Sequence, residues 1–248
     1  CEPIHDLSSM FPMSLLEKAR DSDLILLDRA EQEFNEEGDS AGIFGQHFVG
    51  WDPAIASDAN ADYTAMTVLR MLPDSEEKQL IYVLNEKGLT GNAQKRQIVL
   101  LNSRFQPDLI ELEGNNFQRM FAAELREMRN DIPIKTFMTT RQRKESMFMS
   151  LLMAFEQGKI KTPWGNEKSK EFTRILETQL SRFGMQKNGR LESVGTHDDL
   201  AMSLALANWA TKEFRGTVID LDDYAPEFGN WLMGTPSNSI AGVNWYVA

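Results

Sequence analysis

The chain has 248 residues, 42% of them hydrophobic and 25% charged, with ordinary Gly and Pro content and a single Cys. That composition supports a sizeable core and excludes a disordered tail, a collagen-like repeat, a disulfide framework and a Cys-based structural zinc site; with no apolar run near 20 residues and no signal peptide, a soluble cytosolic protein is expected. The 37 acidic against 26 basic residues give a formal net charge of -11, which argues against nucleic-acid binding by bulk electrostatics and leaves such contact to a local basic stripe or to bridging metal ions.

Residue 1 is Cys rather than Met, as expected of a processed product or an excised part of a longer protein. Residues 1–45 read as a lead-in, with a helical stretch at Ser14 to Arg20, a strand or helix at Leu24 to Leu27, an acidic run from Glu31 to Glu37 and a Gly-rich turn ending at Gly45. Strands are predicted at His47 to Asp52, Tyr63 to Met71 and Gln79 to Asn85, separated by the polar loop from Ile55 to Asn60 and the turn from Pro73 to Glu77. Short connections make these three an antiparallel meander. Helical spacing at Asn92 to Phe105 and Phe117 to Arg129 then alternates with extended segments at Pro107 to Glu113 and Pro133 to Met138, which implies parallel additions to the same sheet.

Beyond Thr140 lie an amphipathic segment, Glu145 to Phe155, an extended piece, Lys159 to Thr162, and a helix near Lys168 to Arg182. Asn188-Gly189 between extended flanks signals a type I′ hairpin. The helix His197 to Ala210 is apolar on nearly every face after its first turn, so it should pack deep against the sheet. From Gly216 the chain is turn-rich and acidic and reads as a tail. Three antiparallel strands followed by helix, strand, helix, strand is the element order of the ribonuclease H-like fold: an α/β protein with a mixed central sheet flanked by helices.

Three acids end elements of that fold. Asp52 closes the apolar strand Phe48-Val49-Gly50-Trp51 on the face of Phe48 and Gly50; by itself it reads first as a turn acid capping the loop. Glu113 ends Leu109-Ile110-Glu111-Leu112, and Glu111 shares its face roughly 6.7 Å away along the strand. Only one of the two can meet the end of the first strand, so Glu113 is the candidate and Glu111 is read as a solvated edge acid. His197-Asp198-Asp199 opens the apolar helix, where Thr196 as N-cap and Asp199 as a dipole-complementing acid are the ordinary reading. Gathered at one end of the sheet, the acids would repel one another unless divalent cations neutralised them. An all-oxygen ligand set suits Mg²⁺ or Mn²⁺, and two such ions support phosphodiester hydrolysis.

Val49-Gly50-Trp51-Asp52-Pro53-Ala54 with Asp62-Tyr63-Thr64-Ala65, then Glu113-Gly114-Asn115-Asn116-Phe117-Gln118, then His197-Asp198-Asp199-Leu200 resemble, in order, the motifs of the nuclease domain of tailed-bacteriophage large terminases, the motors that package and cut DNA. The resemblance covers about Phe44 to Ala210. It implies a two-metal endonuclease acting on concatemeric double-stranded DNA, with Asp52, Glu113, Asp199 and Asp198 as catalytic and metal-holding residues, Asp199 favoured over Asp198 as the inner ligand, and Asp62 and His197 as auxiliary groups. It also implies the ribonuclease H-like domain at 46–213, a linker from an ATPase domain of the same polypeptide at 1–45 and a C-terminal tail at 214–248. Portal and small terminase would be partners, and the cytoplasm of the infected host the site of action, without retention in the virion. Gly158-Lys159 is the one Gly-Lys pair, but residue 153 is Met and residue 160 is Ile, so no P-loop is present and cleavage without ATP hydrolysis is expected.

The densest basic stretch holds Arg141, Arg143 and Lys144, and Lys187 and Arg190 flank the Asn-Gly turn; these five are the candidate DNA contacts, or else solvated surface. In the tail, Asp220, Asp222, Asp223 and Glu227 alternate with Tyr224, Phe228 and Trp231, a pattern that suits protein docking or disorder. Two other readings fit the acids or the fold: another ribonuclease H-like nuclease such as a Holliday-junction resolvase, and a non-catalytic docking module of the packaging motor.

Overall fold

The computed structural model describes residues 9–27, 45–54, 63–72, 75–114, 118–185, 191–194 and 197–214. The elements run α1 (Met13–Lys18), β1 (Arg20–Asp21), β2 (Gln46–Asp52), β3 (Tyr63–Met71), β4 (Lys78–Lys87), α2 (Gly91–Phe105), β5 (Leu109–Glu113), α3 (Gln118–Met128), β6 (Ile134–Phe137), α4 (Arg141–Glu156), β7 (Ile160–Pro163), α5 (Glu167–Ser181), β8 (Phe183–Met185), β9 (Leu191–Ser193) and α6 (Asp199–Phe214). The acidic run, the loop with Asp62, the Asn188-Gly189 turn with Lys187 and Arg190, and the tail lie outside the described residues.

Seven strands form one sheet in the order β1-β7-β4-β3-β2-β5-β6. The meander β2, β3, β4 is antiparallel, and β5 and β6 extend it in parallel beyond β2. The sheet is thus the mixed one expected. Its far edge was not: the short extended piece is β7, which pairs in parallel with β4 at Lys78↔Ile160, and β1 adds a last parallel strand at Arg20↔Thr162.

Period-two alternation assigns the two faces. Val49, Trp51, Met66, Val68, Ile110 and Leu112 face α2 and α3 and bury Ile98, Leu101, Phe121 and Leu125 with them. The Trp51 and Phe121 rings lie parallel at 5.9 Å. Phe48, Gly50 and Thr67 face α6, whose residues from Asp199 to Thr211 are all buried. This helix is enclosed because the sheet lies on one side and α4 and α5 on the other, as its all-round apolar sequence requires. Thr90, Thr140 and Asn166 cap α2, α4 and α5 by accepting from backbone N–H groups three residues on. Thr140 therefore starts α4 at Arg141, and the basic stretch forms its first turn rather than a loop.

Residues 9–27 are tied to the body of the domain. Phe11 is fully buried with its ring edge-on to Phe148 and Phe155, at 6.4 and 6.1 Å. Arg20 donates from Nε and Nη2 to both carboxylate oxygens of Glu177, each at 2.8 Å, and lies 4.0 Å over the Trp164 ring. Leu24 to Leu27 form no regular element; the Leu26 N–H donates to Ser169 Oγ and the Leu27 N–H to the Ile81 carbonyl. Among the described residues no helix is long and apolar enough to cross a membrane.

Candidate active site

Asp52 ends β2 and Glu113 ends β5. The strands are parallel neighbours with Trp51 beside Leu112, so alternation puts both carboxylates on the α6 face at one end of the sheet. The chain leaving Asp52 is fixed at Ala54, whose N–H donates to Thr64 Oγ1 at 3.3 Å and whose carbonyl accepts from Gln94 Nε2 at 2.9 Å.

Gly50 sets where α6 lies. A Cβ at this position would stand 1.9 Å from the Ser203 carbonyl oxygen and 2.6 Å from the Ala207 nitrogen, so no residue but glycine lets the helix come this close. Ser203 Oγ donates to the Gly50 carbonyl at 2.9 Å and lies 3.0 Å from Thr67 Oγ1. One helical turn before Ser203, about 6 Å back along the axis, is Asp199. Two residues past Gly50, about 6.6 Å along the strand, is Asp52. The two offsets match and bring the start of α6 over the end of β2. The helix starts at Asp199, two residues later than expected: the Met202 N–H donates to the Asp198 carbonyl at 2.8 Å, and the Ala201 N–H is satisfied by Gln179 Oε1 at 2.9 Å. Thr196, the expected cap, lies outside the described residues.

The electrostatics follow from this packing. Asp52 is 9% exposed, and its carboxyl is held well above the usual range, first by burial, then by the Glu113 charge and a hydrogen bond with Glu113, and further by Asp199 and Asp198. Glu113 Oε1 accepts from Thr139 Oγ1 at 3.0 Å. Lys144 Nζ is 3.4 Å from Asp198 Oδ2, and His197 Nδ1 is 3.7 Å from Asp199 Oδ2. Four carboxylates thus gather near a single lysine ammonium among the described residues. Among the described residues no three acidic or histidine groups converge on a single metal point, and the closest coupling is between Asp52 and Glu113, whose charge and hydrogen bond both raise the Asp52 carboxyl. The donor chemistry, oxygen throughout and in excess of local positive charge, fits a hard divalent ion.

Glu111 differs from expectation. It is 1% exposed rather than solvated, because α6 extends over β5. Burial, with the Glu213 charge next, pushes its carboxyl up to about 8 against the opposing pull of Lys135 and Arg143, and its Oε2 has no hydrogen-bond partner. It is not among the groups acting on Asp52.

The basic candidates divide. Lys144 reaches the cluster, its ammonium also lying 5.9 and 5.7 Å from the Phe148 and Phe183 ring centres. Arg143 lies 4.8 Å over Phe137. Arg141 Nε donates to Glu145 Oε1, one turn on, at 2.9 Å. Asp62, Lys187 and Arg190 lie outside the described residues. Two neighbours of the cluster escaped the sequence reading. Thr139 follows the strand beside Glu113, and Tyr63 meets the His197 ring edge-on at 5.1 Å. Thr139 carried a positional signal, as the polar residue after a parallel neighbour of Glu113's strand.

Known proteins share the fold that carries these residues. The model of a family described as the terminase RNaseH-like domain matches residues 49–209. The large terminase nuclease of thermophilic phage G20c with bound magnesium is 19% identical, with a TM-score of 0.56 over 82% of this chain and 97% of that one. For the nuclease domain of the large terminase subunit gp2 of bacterial virus Sf6 the identity is 11%, the TM-score 0.56 and the coverage 81% and 98%. The HK97 bacteriophage large terminase is 9% identical with a TM-score of 0.54 over 81% of this chain and 43% of that one. No curated protein sequence is a significant match. At such identities the solved structures establish a shared fold, which is the ribonuclease H-like one.

Proposed function

The chain belongs to the terminase ribonuclease H-like domain family, and on that premise we propose that it is a divalent-metal-dependent endonuclease that cuts double-stranded DNA for a viral packaging motor. The observation that carries the reading is the carboxylate cluster: Asp52 buried against Glu113, with Asp199 and Asp198 close enough to raise its proton affinity further and the Lys144 ammonium at its edge. Asp52, Glu113, Asp199 and Asp198 would hold two ions, Mg²⁺ or Mn²⁺. The G20c nuclease, a relative by fold, has been solved with magnesium, with cobalt and with zinc.

When bound, such ions activate water and offset charge on the phosphodiester. The chain's own residues do the remaining work. Asp52, whose proton affinity burial and its acidic neighbours raise, must be ionised to serve as a ligand, and Thr139 holds Glu113 in orientation through Oε1. Lys144 positions Asp198, while the Gly50–Ser203 contact fixes the distance from the helix acids to the strand acids. Packaging-motor components, including an ATPase domain and the portal, are the proposed partners, and the host cytoplasm the proposed site of action. A calorimetric Mn²⁺ titration tests the reading: the wild type should bind and an Asp52→Asn, Glu113→Gln double variant should not. A docking module without chemistry would show no binding in either.

A further inference from the structure

His197, beside Asp199, also lines a groove of about 370 Å³ between the strand ends of β3 and β4 and the C-terminal half of α5. Tyr63 and Asn85 line one wall, and Arg174, Thr178 and Arg182 the other. The last three are spaced i, i+4, i+8, one stripe along the helix, and Arg174 and Arg182 stand about 12 Å apart at 1.5 Å per residue. No carboxylate is among the lining residues.

Among the described residues Arg182 makes no ion pair; Arg174 is exposed, its guanidinium 5.2 Å over the Trp164 ring and its charge acting on Glu167 two turns earlier. Lys87 is exposed, with Nζ 4.8 Å over the Tyr63 ring that borders the groove. Asn85 Oδ1 is buried without a hydrogen-bond partner. In a chain of net charge -11, a trough with two arginines along it, a lysine at its lip and no acid among its lining residues runs against the charge of the chain as a whole. His197 also lines it, with its Nδ1 3.7 Å from Asp199 Oδ2.

We propose that this groove is the track for the sugar-phosphate backbone of the DNA strand delivered to the carboxylate cluster, with Arg174, Arg182 and Lys87 as its phosphate contacts. Charge complementarity selects the occupant. A phosphate backbone carries one negative charge per nucleotide, so two arginines about 12 Å apart can meet different phosphates of one strand. His197 links the groove to the cluster, since it lines the one and lies beside Asp199 of the other. These are positioning residues, and sequence-independent contacts of this kind fix register rather than read bases. The inference rests on the nuclease reading above and assigns its substrate a path.

The test measures binding of a short fluorescein-labelled DNA duplex to the full chain by anisotropy across a salt series. Each phosphate that a variant no longer neutralises lowers the slope of log K against log salt by about 0.9. Arg174→Gln with Arg182→Gln should therefore flatten the slope by about two, Lys87→Gln by about one, and Arg174→Lys with Arg182→Lys should keep the wild-type slope. Arg96→Gln, an exposed arginine on α2 at the opposite face of the sheet, should leave it unchanged. Mn²⁺ affinity by calorimetry should be the same in all of them. An unchanged slope in the glutamine double variant overturns the track, as does a wild type that binds no duplex. Should the double variant fold poorly, the Lys87→Gln slope decides in its place. Plasmid cleavage by the wild type is read separately: a slope change without cleavage retains the track and removes the nuclease reading, and cleavage without a slope change does the reverse.

Discussion

Glu111→Gln should stabilise the protein at neutral and alkaline pH. Glu111 is 1% exposed under α6, and its carboxyl is raised from 4.5 to about 8, chiefly by burial. In the folded protein it keeps its proton; in the unfolded chain it loses it above pH 4.5. Between those values the unfolded state binds one proton fewer, so stability falls as pH rises, by up to 1.36 kcal/mol per unit. This group's contribution is complete below pH 4.5, is lost progressively toward pH 8 and levels off above it. Across that interval the loss amounts to about 5 kcal/mol, an upper figure because water entry and relaxation soften the burial cost. A glutamine of the same shape stays neutral throughout. Urea unfolding of wild type and variant in EDTA, from pH 5 to pH 8.5, gives the difference directly, with the other titrating groups cancelling. The two should agree within about 1 kcal/mol at pH 5, where the neutral acid and the amide are alike, and the variant should gain steadily above it. A difference that does not change with pH would refute the assignment of a buried, proton-retaining carboxyl.

Other substitutions probe the frame around the cluster. Gly50→Ala places a Cβ 1.9 Å from the Ser203 carbonyl; it should cost about 3 kcal/mol in denaturant unfolding and weaken Mn²⁺ binding as α6 shifts, and a neutral effect would mean the helix is not seated by that contact. Arg20→Ala strands the Glu177 carboxylate, 3% exposed, and should lower stability by about 3 kcal/mol without changing Mn²⁺ affinity. Asp52→Asn relieves repulsion in the metal-free protein, so its melting temperature in EDTA should rise above wild type while the upward shift that Mn²⁺ gives the wild type by mass action disappears. A Mn²⁺ shift retained in that variant would exclude Asp52 as a ligand.

The parts of this architecture visible in the sequence were those with long, bounded runs of strand- or helix-forming residues. Tyr63 to Met71 is a continuous run rich in Thr, Val and other strand-forming residues and forms β3 across that whole span; Asp52 and Glu113 end strands that pair in parallel. What escaped was decided by tertiary cover or by elements too short to carry a period. β1 has two residues and β7 four, and their pairing beyond β4 depends on α4 carrying the chain across the sheet. Glu111 reads as a solvated edge acid until α6 is laid over β5. Arg143 reads as an open basic residue, but capping by Thr140 turns it into the first turn of α4, where it meets Phe137. Arg174 and Arg182 carry no signal of their own because charges at helical spacing are usually a solvated face; only the fold shows that this face borders His197.

Nicking of supercoiled plasmid by the full chain in Mn²⁺ tests most directly whether the carboxylates gathered from β2, β5 and α6 hold divalent ions that cut DNA. EDTA serves as blank, and Asp52→Asn and Glu113→Gln are run beside the wild type at matched circular dichroism. The wild type should convert plasmid to nicked and linear forms in Mn²⁺ and not in EDTA, with or without ATP, and each variant should fall by at least about a hundredfold while remaining folded. Cleavage at the wild-type rate by either folded variant, or cleavage that persists in EDTA, would contradict a metal-holding carboxylate site.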